Sequence, residues 1–109
     1  MGLNKGADLI LAERERQISE EGYNKTHDSF HNYEEFIKAT ISYSLSSFNN
    51  EDLKRSGNLW WPWSIESHKP KDVLQNLKRA GTLIAATIDM KRILDSILFY
   101  FINIKMKYL

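Results

Sequence analysis

The chain has 109 residues, of which 42% are hydrophobic and 27% charged, and its net charge is +1. This length and composition predict one domain over residues 1–109 with one modest hydrophobic core. The near-neutral charge argues against bulk binding of nucleic acid. Because the chain has no cysteine, disulfides, thiolate catalysis and cysteine-ligated zinc sites are excluded, as is typical of a protein in a reducing cytoplasm.

The first predicted helix runs from Asp8 to Glu21, has a thin apolar face and carries many charges. Residues 1–7 before it form a flexible N-terminus without the apolar core of a signal peptide. Gly22 is a plausible helix stop, and a polar loop over residues 24–31 follows.

The second predicted helix begins at Asn32, which has capping-box spacing to Glu35. Apolar residues then recur at helical spacing as far as Phe48. The serine-rich segment over residues 42–47 leaves one face small, so that another helix could approach closely. Residues 49–50 end this helix, and residues 51–57 predict a charged, helix-capable turn that ends at a glycine.

Residues 58–71 contain all three tryptophans and both prolines of the chain. Proline blocks helix and restrains the residue before it, so Trp61 and Lys69 should be extended. The segment predicts a long, ordered, non-helical loop.

The next helix is predicted to begin after Asp72, an N-cap residue with capping-box spacing to Gln75. Its apolar stripe is broad and contains several small residues, including Gly81. A glycine inside a helix costs about 1 kcal/mol relative to alanine. Gly81 therefore predicts a close backbone contact or a bulky group lying over it, and we expect the tryptophans to cover this face.

Residues 93–109 form an apolar C-terminal extension. Its longest uninterrupted apolar run, Ile97 to Ile102, is far shorter than the roughly 20 residues that span a bilayer. The extension either completes the core of the monomer or packs against a second copy, and the short chain favours a homo-oligomer, most simply a dimer. A strand over residues 99–102 is an alternative to helix. The fold class predicted for the whole chain is all-α, a small domain of three to four helices.

Six short blocks of the sequence form a pattern over about residues 8–93. The blocks are Ala12-Glu13-Arg14-Glu15-Arg16-Gln17, Glu21-Gly22-Tyr23, His27-Asp28 with His31, Trp61-Pro62-Trp63, Lys69-Pro70, and Leu77 with Ala80-Gly81 and Leu83-Ile84. Together they resemble a group of short, mostly uncharacterised proteins of bacteriophages and prophages. Tyr23 stands where that pattern has tryptophan, and His68 also departs from it. The resemblance implies phage origin and a helical fold, without implying a reaction.

The first candidate site consists of His27, Asp28, His31 and Glu35. Imidazole and carboxylate groups are ligands for zinc and manganese, and carboxylates suit magnesium. His27, Asp28 and His31 are the candidate metal ligands, and all four residues are candidate catalytic groups. A wider set of carboxylates has a remote similarity to helical nucleotide pyrophosphohydrolases, although the paired carboxylate spacings of that family are not cleanly present. These carboxylates are Glu13, Glu20, Glu21, Asp28 and Glu35. Structural bracing of the second helix is the alternative.

The second candidate site is a ligand-binding surface in and beside the tryptophan loop. Flat indole rings next to cations and a helix N-terminus suit a nucleotide, because the rings stack on the base and the charge holds the phosphate. A lid over the core and a protein interface are the alternatives. The candidate ligand-binding residues are Trp60, Trp61, Trp63, Lys69, Lys71 and Arg79.

These features leave three functions open. The first is a non-enzymatic phage accessory protein in the cytoplasm of the bacterial host, which binds a nucleotide-like ligand or a host factor and counters a defence system. The second is a metal-dependent nucleotide pyrophosphohydrolase, and the third is a structural or protein-interaction module.

Overall fold

The computed structural model describes residues 4–20 and 32–108. Within these ranges lie four α-helices and one short 3₁₀ helix, and no strand, which confirms the all-α prediction. Residues 99–102 belong to the last helix, so the alternative of a strand is wrong there. The helices are α1 (Lys5–Glu20), α2 (Tyr33–Ser46), α3 (Glu51–Trp60) and α4 (Val73–Lys107), with the 3₁₀ helix at Ile65–Ser67.

Polar side chains cap the starts of three helices. The Asn32 side chain accepts a hydrogen bond from the Glu34 amide, and Asp72 accepts one from the Gln75 amide at 2.8 Å, as their predicted N-cap roles require. Asn50, predicted to end the second helix, instead caps α3 by accepting from the Leu53 amide. These local bonds satisfy amides that have no partner inside their own helix.

Helix α2 packs against both α3 and α4 and is the centre of the fold. Its buried face consists of Phe36, Ala39, Ser42 and Tyr43. Phe36 forms the core with Ala86 and Met90 of α4, and Tyr33, Trp63 and Leu83 pack around them. The core thus lies between α2 and the first half of α4.

The contact between α2 and α3 is very close. The Ser42 hydroxyl donates to the Gly57 carbonyl at 2.6 Å, and a Cβ added at Gly57 would lie 2.8 Å from the Ser42 carbonyl oxygen. The small face predicted for α2 therefore does admit another helix. Gly57 does not end a turn as predicted, because it packs inside α3, which continues to Trp60.

Helix α1 lies against α4 and begins at Lys5, earlier than predicted. Its Ile10 covers Gly81, where an added Cβ would lie 2.5 Å from Ile10 Cδ1. The bulky group over Gly81 is thus an α1 side chain rather than an indole, and the expectation that the tryptophans cover this glycine is wrong. The buried residues of α1 are the charged Glu13 and Arg14.

Ion pairs and hydrogen bonds supply the specific contacts of α1. Arg16 pairs with Glu13 at 2.7 Å, and this hydrogen bond holds the pKa of Glu13 below its ordinary value against the opposing effect of burial. Arg14 lies 3.7 Å from an Asp89 carboxylate oxygen on α4. The contact surface between α1 and α4 is therefore largely polar.

Helix α4 has 35 residues and is about 52 Å long, and the molecule extends 58 Å along its longest axis. One face of the first half of α4 packs against α1 and α2, whereas residues 91–108 are almost entirely exposed. The buried residues of α4 are Asn76, Ala80, Thr82, Ala86 and Met90. None of the helices in the described ranges has the length and apolar content needed to cross a membrane.

Candidate functional site

The segment that joins α3 to α4 is shorter and more structured than the predicted loop over residues 58–71. Helix α3 continues through Leu59 and Trp60, and Ile65–Ser67 forms a turn of 3₁₀ helix. Trp61 caps the C-terminus of α3 in an extended conformation, with φ −65° and ψ 120°, as expected for a residue before proline. We call residues 61–72 the Trp segment.

The Trp segment closes over α2 through five rings, Phe36, Tyr43, Trp61, Trp63 and His68, which we call the aromatic cluster. Trp61 is central, because its ring centroid lies 4.5 Å from that of His68, 5.2 Å from Trp63 and 5.4 Å from Tyr43. Trp63 in turn meets Phe36 edge-on at 5.3 Å. Such offset and edge-on pairs are worth about 0.5–1.5 kcal/mol each beyond the area that they bury.

The indole N–H groups are also used within the protein. Trp61 Nε1 donates to the Ser64 carbonyl at 3.0 Å and lies 3.2 Å from the Ser67 hydroxyl. Trp63 Nε1 donates to a Glu35 carboxylate oxygen at 3.0 Å. These two indoles are thus fixed by ring contacts and hydrogen bonds, which is the arrangement expected of a lid over the core.

Two residues of α4 hold the end of the Trp segment. The buried Asn76 side chain accepts from the Lys71 amide at 2.7 Å and donates to the Lys71 carbonyl at 3.0 Å. Arg79 donates to the Lys69 carbonyl and lies over the Tyr43 ring, 5.7 Å from its centroid. The predicted ligand-binding residue Arg79 therefore makes a bracing contact between the segment and α2.

His68 is a half-buried residue of the Trp segment. Its Nε2 is 3.4 Å from the Ser42 hydroxyl, and its Nδ1 is buried with no hydrogen-bond partner in the described part of the chain. Burial and, secondarily, the nearby charge of Arg79 lower the pKa of His68, so the ring is neutral at physiological pH.

The Ser42–His68 pair is not arranged for nucleophilic catalysis. Ser42 is fully buried and donates its hydroxyl proton to the Gly57 carbonyl. A serine nucleophile must reach its substrate and give its proton to the base. The pair therefore ties the Trp segment to α2 and α3.

The first candidate site is described only at Glu35, since His27, Asp28 and His31 lie outside the described ranges. Glu35 stands in the first turn of α2 and bonds to Trp63, so a residue of the first predicted site contacts a residue of the second. Within residues 4–20 and 32–108, no three metal-ligating side chains come together. Metal binding and catalysis by the four residues stay predictions.

The remaining predicted ligand-binding residues are exposed. Lys69 and Lys71 are exposed along the Trp segment, and Trp60 is 44% exposed at the end of α3. Asn76, Tyr43 and Ser42 belong to neither predicted site. Asn76 is recognisable in the sequence as a polar residue among the small and apolar residues of one helix face. A buried polar side chain needs hydrogen-bond partners, so this position indicates a specific contact.

The C-terminal part of α4, residues 94–108, has no role in the core, and we call it the tail. One of its faces is uniformly apolar at alternating spacings of three and four residues. Its members are 37% to 79% exposed. This tail stripe consists of Leu94, Ile97, Phe101, Ile104 and Tyr108.

Comparison with known proteins finds no family model, no curated protein and no solved structure that matches the chain. The resemblance to phage and prophage proteins stays a prediction.

Proposed function

We propose that this protein is a non-enzymatic protein-binding module whose tail is the binding element. The observation that carries the proposal is the exposure of the tail stripe, because exposed apolar patches larger than a few hundred Å² mark interaction surfaces. Helical recognition commonly uses apolar anchors at spacings of three and four residues along one face.

The surface area of the chain supports this proposal. A compact monomer of 12.8 kDa is expected to expose about 6,300 Å². This chain exposes 8033 Å², and its radius of gyration of 16.7 Å exceeds the value of about 13 Å expected for its length. The exposed tail, which extends beyond the core, contributes to this larger surface and size.

The aromatic cluster supports the proposal indirectly. Its rings and the Asn76 bonds fix the Trp segment onto α2 and α4, and the core ends at Met90. The folded part of the molecule thus holds the first half of α4 rigidly, and the tail projects from it as a preformed helix. A preformed helix loses less conformational entropy on binding than a segment that folds on contact.

A photo-crosslinking experiment in cells tests the proposal. Phe101→p-benzoylphenylalanine should give discrete crosslinks to protein, because Phe101 lies on the tail stripe. The matched control is the same replacement at Phe48, which has similar exposure but lies between α2 and α3. Equal labelling from both positions, or adducts to lipid alone from position 101, would contradict a protein-binding tail.

The other two functions stay predictions. A nucleotide-like ligand would use exposed Trp60, Lys69 and Lys71 rather than Trp61 and Trp63, whose rings meet other rings of the cluster. A pyrophosphohydrolase would depend on His27, Asp28 and His31, which lie outside the described ranges.

A further inference from the structure

We infer that the partner of the tail is a second copy of this chain, and that the two tails pair antiparallel. This inference rests on the proposed function and names the occupant of the same surface. Three observations carry it: the continuity of the tail stripe with the core, the apolar composition of the exposed stripe, and the position of α2 on α4.

The tail stripe continues the core-facing stripe of α4 without a break. At intervals of seven residues, Leu83 and Met90 are followed by Ile97 and Ile104. A second series with the same interval consists of Ala80, Thr87, Leu94, Phe101 and Tyr108. Such alternating spacings of three and four residues are the seam of a coiled coil. Met90 is 2% exposed, whereas Ile97 on the same seam is 46% exposed.

The change in exposure coincides with the beginning of α2. Tyr33, the first residue of α2, lies beside Lys91, whose ammonium is 5.7 Å from the ring centroid. Beyond this point, α4 needs another helix of the same kind to cover its seam. A second tail has the same apolar stripe and the same length, so it satisfies this requirement.

The composition of the tail stripe agrees with a permanent homodimer. Its five residues are all large and apolar or aromatic, and they are 37% to 79% exposed in the single chain. Permanent homodimer interfaces are more apolar than those of transient complexes.

The position of α2 selects the antiparallel orientation. In a parallel pair, both copies of α2 would lie on the seam at the same level, between the two α4 helices. In an antiparallel pair, each tail covers the exposed part of the partner's seam. That part begins where the partner's own α2 ends. Antiparallel pairing also separates the two Lys105–Lys107 ends, which a parallel pair would place side by side.

Sedimentation velocity of the full chain tests the inference. We expect a single species of twice the 12.8 kDa chain mass, and Phe101→Glu should convert it to the monomer. Phe99→Glu is the matched control, because Phe99 is similarly exposed but faces away from the stripe, and this variant should remain dimeric. Circular dichroism confirms that both variants keep the helical fold. A monomeric wild-type chain, or equal loss of dimer in both variants, overturns the inference.

Single cysteines test the orientation, since the chain has none of its own. Antiparallel layers place Leu94 of one copy opposite Ile104 of the other. A mixture of Leu94→Cys and Ile104→Cys chains should therefore oxidise to mixed dimers, and each variant alone should crosslink poorly. Efficient crosslinking of Leu94→Cys to itself overturns antiparallel pairing.

The two proposals fail in different ways. If the purified chain is monomeric but position 101 crosslinks to a different protein in cells, self-association is overturned and the protein-binding tail stands. If position 101 crosslinks to no protein at all, the proposed function fails as well.

Discussion

At the residue scale, His68 joins the Trp segment to α2. Its ring lies against Trp61 and Tyr43, and its Nε2 approaches Ser42 on α2. The ring remains neutral because it is partly buried and because the Arg79 guanidinium is near. Packing of the Trp segment is therefore linked to the protonation state of one imidazole.

This linkage predicts a pH dependence of stability. Since the folded-state pKa of His68 lies below 6.5, the unfolded chain binds more protons between the two pKa values. The contribution of His68 to the free energy of unfolding is therefore complete above pH 6.5 and decreases as the pH falls towards the folded-state pKa. Urea titrations at about pH 7.5 and about pH 5.5 should show that His68→Phe loses part of the wild-type decrease.

The comparison is internally controlled, because every residue other than His68 is the same in both proteins. Glu13 does not interfere, since its lowered pKa affects stability only below its ordinary value of 4.5. If the variant and the wild-type chain lose equal stability over this pH range, His68 is not the linked group.

At the element scale, two glycines set the spacing between helices for different reasons. A Cβ at Gly57 would meet the Ser42 backbone carbonyl of α2, whereas one at Gly81 would meet the Cδ1 and Cγ1 atoms of the Ile10 side chain of α1. A backbone carbonyl in a packed helix has little room to move, but a side-chain terminus can change rotamer. The α2–α3 contact is therefore the more rigid of the two.

Alanine substitutions test this difference in rigidity. Alanine gains about 1 kcal/mol of helix propensity at either position. At Gly57 this gain should be outweighed, with a net destabilisation of about 1–3 kcal/mol, as is typical of overpacking. Gly81→Ala is the matched control and should lose less stability in chemical unfolding. Greater destabilisation by Gly81→Ala would show that α1 is held more rigidly than α3.

At the scale of the whole molecule, folding and association use separate halves of α4. The core residues that α4 contributes are Ala86 and Met90, with Leu83 beside them, all of which precede the tail. The tail adds apolar surface but, within the described residues, no buried side chain. The folded unit should therefore not require the tail for its own core.

Truncation after Ile93 tests this separation. The shortened chain should retain a cooperative unfolding transition, and its melting temperature should not change with protein concentration. The full-length chain should melt at higher temperature as concentration rises, because association stabilises the folded state by mass action. Loss of cooperative unfolding on truncation would place the tail in the monomer's own core.

The sequence alone determined those features that depend on residues close together in the chain. They include the all-α fold, the N-caps at Asn32 and Asp72 and the extended backbone at Trp61. Helical periodicity, side-chain capping and the restraint before proline act within a few residues. For the same reason the sequence indicated that Gly81 must be covered, without indicating by which residue.

Only the tertiary structure decided which distant groups meet. In the folded chain Ile10 lies over Gly81, and Trp61 and Trp63 pack against rings of α2. Helix α3 continues beyond Gly57 to Trp60. It also showed that α2 covers α4 only as far as Met90. The apolar pattern of α4 is the same on both sides of Met90, so burial there depends on the length of a neighbouring helix, which the pattern of α4 does not encode.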